Sequence, residues 1–346
     1  MSPRNKNKEN SSKEIISFNW RFKPPTKIQI INALKLNIKN NLELVKNLSM
    51  NDKLFEKLID HFPALPNPQH DMDWLVQYHE KDQSCTRFFK EAPLDSNEKF
   101  IYYIQIGDFK NSNLKFSDLI EYSEVFFGKN SIKLMPKRIK IIISNSNYVS
   151  AQYENVTKKL VSRFKNNRHQ IQAQSFYRLL KRIKPVDSAG LIAFTDYDLY
   201  CEESDLFVAG LCDGQMRVGV FSCYRYNPSL QFSDEKWFES KLVKTKLERR
   251  KLYNLLLTRS CKLLAHETCH LLGIDHCVYF DCCMNGSGHL DEDFRQSMFL
   301  CPVDLKKLWI IYKFDVNKRF LEILDFFKKH NCEEELIKLQ KIFKEL

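Results

Sequence analysis

The residues with the most chemistry to offer lie in one short stretch, His266-Glu267-Thr268-Cys269-His270 followed by Gly273 and His276. The pentapeptide closes a run of helical period, SCKLLAHETCHLL. In an α-helix residues i and i+4 lie on one face, a turn apart. His266 and His270 can therefore reach one cation together, with Glu267 beside it. Imidazole nitrogen is a good zinc ligand, and a nearby carboxylate can act as general base toward water activated by the metal. Taken alone, the pentapeptide also fits two exposed or capping histidines on an amphipathic helix. Gly273 and His276 narrow the choice. Glycine takes the left-handed conformation that ends a helix and turns the chain back. Such a turn would bring His276 round to the same metal. The chain has only 9 histidines, so three at these offsets are a specific signal. Three protein ligands leave one position for water or a substrate carbonyl, the pattern of a catalytic zinc site.

The stretch runs on through Cys277, Cys282, Cys283, Met284 and Cys301. HExxHxxGxxH followed by a methionine is the pattern of the metzincin metalloproteases. The short interval to Met284, with cysteines interleaved, resembles one branch of them, the archaemetzincins or archaelysins. That family places a cysteine directly after the third histidine, another soon after, and a Cys-x-x-Cys pair beyond the methionine. Cys277, Cys282 and Cys301 stand at matching places. Upstream, Asp198-Leu199-Tyr200, Phe207-Val208-Ala209-Gly210 and the segment Val218 to Tyr226 resemble the strands before the family's catalytic helix. The likeness is good from about Arg138 to Leu308.

The resemblance implies an α+β, metzincin-like zinc-protease domain: a mixed twisted sheet, a catalytic helix carrying HExxH, and C-terminal helices. It implies a catalytic zinc on His266, His270 and His276, with Glu267 as general base. Gly273 and Met284 become structural supports, Met284 as an apolar floor beneath the histidines and not as a ligand. The resemblance further implies an enzyme of the cell interior that is aminopeptidase-like or prefers peptides.

One departure from the family pattern stands out. Asp304 occupies the place of the second thiolate of the Cys-x-x-Cys pair. Family members resemble one another in holding a second, structural zinc with four cysteines. Here Cys277, Cys282 and Cys301 match, and Asp304 could supply an oxygen, since carboxylates bind zinc. Cys283 is another choice for the fourth ligand, although side chains of consecutive residues usually diverge. The plainer reading is a weakened or missing second zinc, with thiols that only pack. Cys269 faces away from the ligands and reads as core, as do Cys85, Cys201, Cys212, Cys223, Cys261 and Cys332. His289 could support the zinc loop or touch substrate, but a surface histidine is the simpler reading.

The leading functional reading is a zinc metallopeptidase acting on peptide or protein substrates. The strand expected over Arg217 to Tyr224 would rim its cleft and pair with extended substrate. The alternative is a zinc-stabilised binding module with little or no catalysis. Glu267 argues against it, because a structural site needs no carboxylate beside the metal and is closed by a fourth protein ligand.

Composition agrees with a folded enzyme. The 346 residues are 43% hydrophobic and 28% charged, ordinary globular usage. Lys plus Arg number 54 against 43 Asp plus Glu, a formal charge of +11. The positive residues are spread along the chain, so neither nucleic acid nor membrane is expected as a partner. No run is long and apolar enough for a transmembrane helix, and the polar N-terminus lacks a signal peptide's apolar core. An intracellular location, cytoplasmic or nuclear, is expected. In that setting the 11 cysteines read as thiols or metal ligands.

The elements that must position the site follow from periodicity and punctuation. Residues 1–18 read as a solvated tail, 19–135 as a mostly helical extension, and 136–346 as the catalytic domain with its C-terminal helices. Helix is expected over Ile28 to Ile59, His169 to Ile183 and most of Lys236 to Leu272. Strands are expected at Ile101 to Ile104, Arg138 to Ile143, Gly190 to Thr195, Leu206 to Ala209 and Arg217 to Tyr224. A pair of helices is expected over Leu321 to Leu346.

Overall fold

The computed structural model describes residues 22–38, 42–92, 98–145, 148–165, 167–233, 236–242 and 248–344. The expected tail lies outside them. The described part begins with short helices, α1 (Lys27–Leu34), α2 (Leu42–Leu48), α3 (Asp52–Ile59), α4 (Trp74–Gln77) and α5 (Cys85–Glu91). Strand β1 (Phe100–Gln105), helix α6 (Phe116–Phe127) and strand β2 (Ile132–Leu134) follow. A meander of β3 (Lys140–Asn145), β4 (Tyr148–Tyr153) and β5 (Val156–Leu160) makes a three-stranded sheet. Next come β6 (Ser162–Lys165), β7 (Arg168–Gln172), α7 (Tyr177–Ile183), β8 (Ser188–Thr195) and β9 (Asp198–Tyr200), with β6, β7 and β9 in a second small sheet. The chain continues through β10 (Gly210–Asp213), β11 (Val218–Ser222) and the hairpin β12 (Leu230–Ser233) and β13 (Lys236–Leu242). The long helix α8 (Arg249–Leu271), then α9 (Leu290–Arg295), α10 (Pro302–Tyr312), α11 (Val316–Lys329) and α12 (Glu333–Phe343) complete it.

The central sheet has five strands in the order β10-β11-β8-β1-β2. All neighbours are parallel except the edge strand β10, which runs antiparallel to β11. Every residue of β8 is buried, because both faces of the sheet are covered. Alternate residues divide between the faces, as the period of two requires. Ile192 and Phe194 of β8, Phe221 of β11 and Tyr103 of β1 pack with α6 and α8. Leu191, Ala193, Val218 and Val220 pack with α7 and the small sheets. Strands covered on both faces read as apolar runs, so β8 and β11 were visible in the sequence. The fold is α+β with mixed sheets and C-terminal helices, as expected.

The terminal regions are joined by buried charge. Lys306 of α10 is fully buried, bonded to Asp52 and at 2.6 Å to the Leu34 carbonyl. The expected pair of C-terminal helices is present as α11 and α12, which bury Phe320, Ile323, Leu324, Phe327, Leu339 and Ile342, while Leu321 faces outward.

Several expectations are corrected. Ile28 to Ile59 is three helices rather than one. Thr26 starts α1 with a capping box to Gln29, and Asn51, a residue of low helix preference, stands at the start of α3. The segment from His169 lies in β7, paired antiparallel to β6 and parallel to β9, then makes a 3-10 turn over Ala173–Phe176 and becomes α-helical at Tyr177. Gln170 is buried there and donates to Asp198 and to the Leu206 carbonyl, a long-range partnership that overrides its helix preference. Lys236–Leu242 is a strand paired with β12; its aromatic pair Trp237-Phe238 suits a strand better than a helix. At Leu206 to Ala209 there is only an isolated bridge, Leu199 to Val208, and the strand begins at Gly210. β11 lies between β10 and β8, so its backbone cannot pair with substrate; the edge is β10.

Candidate metal centre

Helix α8 ends at the site. Leu264, Ala265, Cys269 and Leu271 are buried beneath the sheet, which leaves His266, Glu267 and His270 to face one another's side of the helix. The helix stops in a Schellman motif: the Ile274 amide bonds the Cys269 carbonyl at 3.0 Å and the Gly273 amide bonds the His270 carbonyl at 2.9 Å. Gly273 has φ +86°, the left-handed region that favours glycine. This reversal carries His276 back to the helix, as the spacing predicted.

The three imidazoles converge, with ring centroids 4.5, 4.8 and 5.4 Å apart. Each is turned by a hydrogen bond at Nδ1. His266 donates to the Cys283 carbonyl at 2.8 Å, and His270 donates to the Ile274 carbonyl at 2.8 Å. His276 Nδ1 lies 2.7 Å from Glu80 Oε1. With Nδ1 so engaged, the Nε2 atoms face inward; those of His266 and His270 are 3.0 Å apart. Such outer partners select the tautomer that presents a lone pair to a metal. Burial, with the neighbouring histidines, keeps His266 neutral well below its ordinary range and lowers His270 to about 4. Three imidazoles aimed at one point suit zinc.

Glu267 lies beside this triad and makes no hydrogen bond among the described residues. Burial pushes its carboxyl up to about 8, with the Asp293 carboxylate adding to the effect. Met284 is fully buried, in the turn closed by the bond from the Asn285 amide to the Cys282 carbonyl. Its neighbour Cys283 supplies the carbonyl that turns His266.

A second group forms next to the first. Cys277, Cys282, Cys301 and Asp304 are all buried, and their ligand atoms lie within 4.8 Å of one another. Cys277 and Cys301 sulfurs are 3.6 Å apart; Asp304 Oδ2 is 3.3 Å from Cys282 Sγ and 3.4 Å from Cys301 Sγ. Cys301 caps α10, whose first turn carries Asp304. Backbone amides of Tyr279, Met284 and Cys301 point at the sulfurs of Cys277 and Cys282. Burial alone would raise Cys277, but hydrogen bonds from Cys282, Cys301, the Tyr279 amide and Asp304 outweigh it and hold that thiol well below its ordinary range. Burial and the Cys277 charge push Asp304 up to about 7. Cys283 points elsewhere, its sulfur 3.9 Å from the Lys262 carbonyl, so it is not the fourth member.

Sequence reasoning missed two members of these sites. Glu80 was invisible because it is 196 residues from His276. Lys307 is fully buried, 2.8 Å from Asp304 Oδ1; a Lys three places after an Asp on a helix ordinarily reads as a solvated pair. His289 is not a surface residue. Its side chain is 3% exposed and bonds Asp73 at 2.8 Å while accepting from the Glu292 amide as the cap of α9. Asp73, His289 and Glu292 also cluster, but the carboxylates are taken by protein donors, Arg295 and the Gln69 amide on Asp73, the Trp74 and Gly288 amides on Glu292. That cluster is a clasp between α9 and residues 69–74.

An HExxHxxGxxH segment, a glycine turn, a buried methionine and three inward imidazoles make a group that could hold a metal, arranged as the metzincin pattern implies. No family model matches the chain. The chain is 29% identical to human archaemetzincin-2 over 266 residues, 72% of this chain and 70% of that protein. It is 24% identical to human archaemetzincin-1 over 264 residues, covering 72% and 50% of the two chains. A crystal structure of archaemetzincin from Methanopyrus kandleri aligns with 64% of this chain and 99% of that one, at 20% identity and a TM-score of 0.40. The chain is thus a homologue of the archaemetzincins, as its motif indicated.

Proposed function

We propose that the protein is a zinc-dependent peptidase whose metal is held by His266, His270 and His276. The observation that carries the reading is the convergence of three Nδ1-anchored imidazoles, with the adjacent Glu267 carboxylate making no hydrogen bond among the described residues. Its archaemetzincin relatives support it. Zinc at that point supplies Lewis acidity, lowering the pKa of water and polarising a carbonyl. Glu267 accepts the proton of the attacking water and passes it to the leaving amine.

Substrate backbone is offered the free edge of β10. Among the described residues β10 pairs only with β11, and the Glu267 carboxylate helps burial raise the Cys212 thiol of β10, so this edge lies near the reacting carboxylate. An extended peptide can add there as a further strand. Peptides trimmed from an amino end fit this reading. The test is cleavage of a defined peptide mixture: stripping with a chelator should abolish it and one equivalent of zinc should restore it. Cleavage that survives complete metal removal would refute the proposal. No helix among the described residues is long and apolar enough to cross a membrane; the cell interior remains the proposed location.

The cysteine group holds a second, structural zinc in this reading, with Asp304 as fourth ligand. Replacing Asp304 by Cys should then tighten retention against chelators while leaving cleavage unchanged. The same change strips Lys307 of its carboxylate. The metal-free variant should therefore unfold about 3 kcal/mol more easily than wild type, the cost of orphaning a buried charge. Thermal unfolding with and without zinc, and zinc content after dialysis against a weak chelator, check both statements. A single tightly held zinc that Cys277→Ser leaves unchanged would show that the thiols only pack.

A further inference from the structure

We infer that Glu80 is a positioning residue of the metal centre, holding His276 through Nδ1 so that the third ligand faces the metal. The inference rests on the three-histidine zinc reading. The three ligands differ in where their outer partner comes from. His270 leans on the backbone carbonyl of residue 274, just past the end of its helix, and His266 on that of residue 283, in the methionine turn. His276 follows the end of the helix, and its partner is a side chain delivered by the N-terminal region, Glu80 Oε1 at 2.7 Å.

Glu80 is itself held. Trp74 Nε1 donates to the same Oε1 at 2.5 Å, so the two donors pin one carboxylate oxygen. The Trp74 ring meets His276 edge-on with centroids 5.0 Å apart and stacks on Tyr78 at 4.1 Å. Room for that ring exists because residue 286 is glycine: a Cβ there would sit 2.3 Å from the indole. The Trp74 amide is fixed by Glu292 at 2.9 Å.

The strand of chain around Glu80 also grips the loop that carries His276. Gln83 spans the glycine turn, donating to the Gly273 carbonyl at 2.9 Å and accepting from the Asp275 amide at 3.1 Å. Asp82 accepts from the Tyr279 hydroxyl at 3.1 Å. Residues 80, 82 and 83 thus bracket His276 on both sides. A carboxylate on the far nitrogen of a ligating imidazole fixes its tautomer and raises its basicity.

The experiment uses the full chain, stripped of metal and titrated with zinc and with cobalt(II). Cobalt in the histidine site lacks the sulfur-to-metal charge-transfer band of a cysteine site, so the two are read separately. Glu80→Ala should weaken metal at the histidine site about 10- to 100-fold. Glu80→Gln keeps an oxygen acceptor but loses the charge, and should fall between that and wild type. Both should shift the cobalt d–d spectrum and leave the charge-transfer band unchanged. Glu91→Gln, at an exposed ion pair on α5, should bind like wild type. If Glu80→Ala does not fold by circular dichroism, Glu80→Gln decides alone. Wild-type affinity and an unchanged cobalt spectrum in the Glu80 variants overturn the inference. His276→Ala separates the two levels: metal lost there but kept in the Glu80 variants refutes only the role of Glu80. Metal kept at full affinity in His276→Ala removes the histidine site and this inference with it.

Discussion

Glu267→Ala loses peptide cleavage by about 10²- to 10⁴-fold, the usual worth of a positioned general base, while its zinc content stays that of wild type. Each tenfold loss is about 1.4 kcal/mol of transition-state stabilisation. The metal is retained because Glu267 is no ligand; the three imidazoles and their partners at 283, 274 and 80 are untouched. The fold is retained because the carboxylate makes no hydrogen bond among the described residues and is buried at a cost that alanine relieves. Cleavage rate and metal per chain, measured on one preparation, check it. Activity within about tenfold of wild type would place the base elsewhere.

The second large effect is expected of His276→Ala. It leaves two ligands, both on α8, and removes the one that the glycine turn supplies. The loss of zinc affinity should exceed the roughly 10- to 100-fold that losing an outer partner costs, and cleavage should vanish with the metal. The variant also leaves Glu80 with Trp74 alone and opens a space beside that indole. Metal content by mass spectrometry, on protein purified without chelators, is the direct check. Full zinc and full activity would remove the three-histidine reading.

What could be read in the sequence was local. His266, Glu267, His270, Gly273 and His276 follow from helical period and from the conformational freedom of one glycine, both properties of a short segment. The cysteine group, and Asp304 with it, was legible only through the resemblance to the archaemetzincin pattern. The strands β8 and β11 showed as apolar runs because both faces are covered. What stayed hidden depended on distant partners. β7 is a strand because β6 and β9 pair with it, and Gln170 is tolerated in it because Asp198 waits across the sheet. The rim of the cleft was assigned to β11 because nothing local marks β10 as the strand beyond it. Lys307 was hidden because burial, which turns a weak surface pair into an obligatory one, is not a property of spacing.

His276 and Cys277 are consecutive, and so are Cys282 and Cys283, whose carbonyl turns His266. The two clusters therefore hang from shared peptide units. A cation among the thiols restrains both ends of the segment 277–282, and with it the backbone from which two of the three imidazoles are presented or turned. Thermodynamic linkage makes any such effect mutual: the factor by which one ion tightens the other is the factor returned. Zinc affinity at the histidines, measured with the thiol group loaded and empty, would differ by the same factor as thiol-site affinity measured with the histidines loaded and empty.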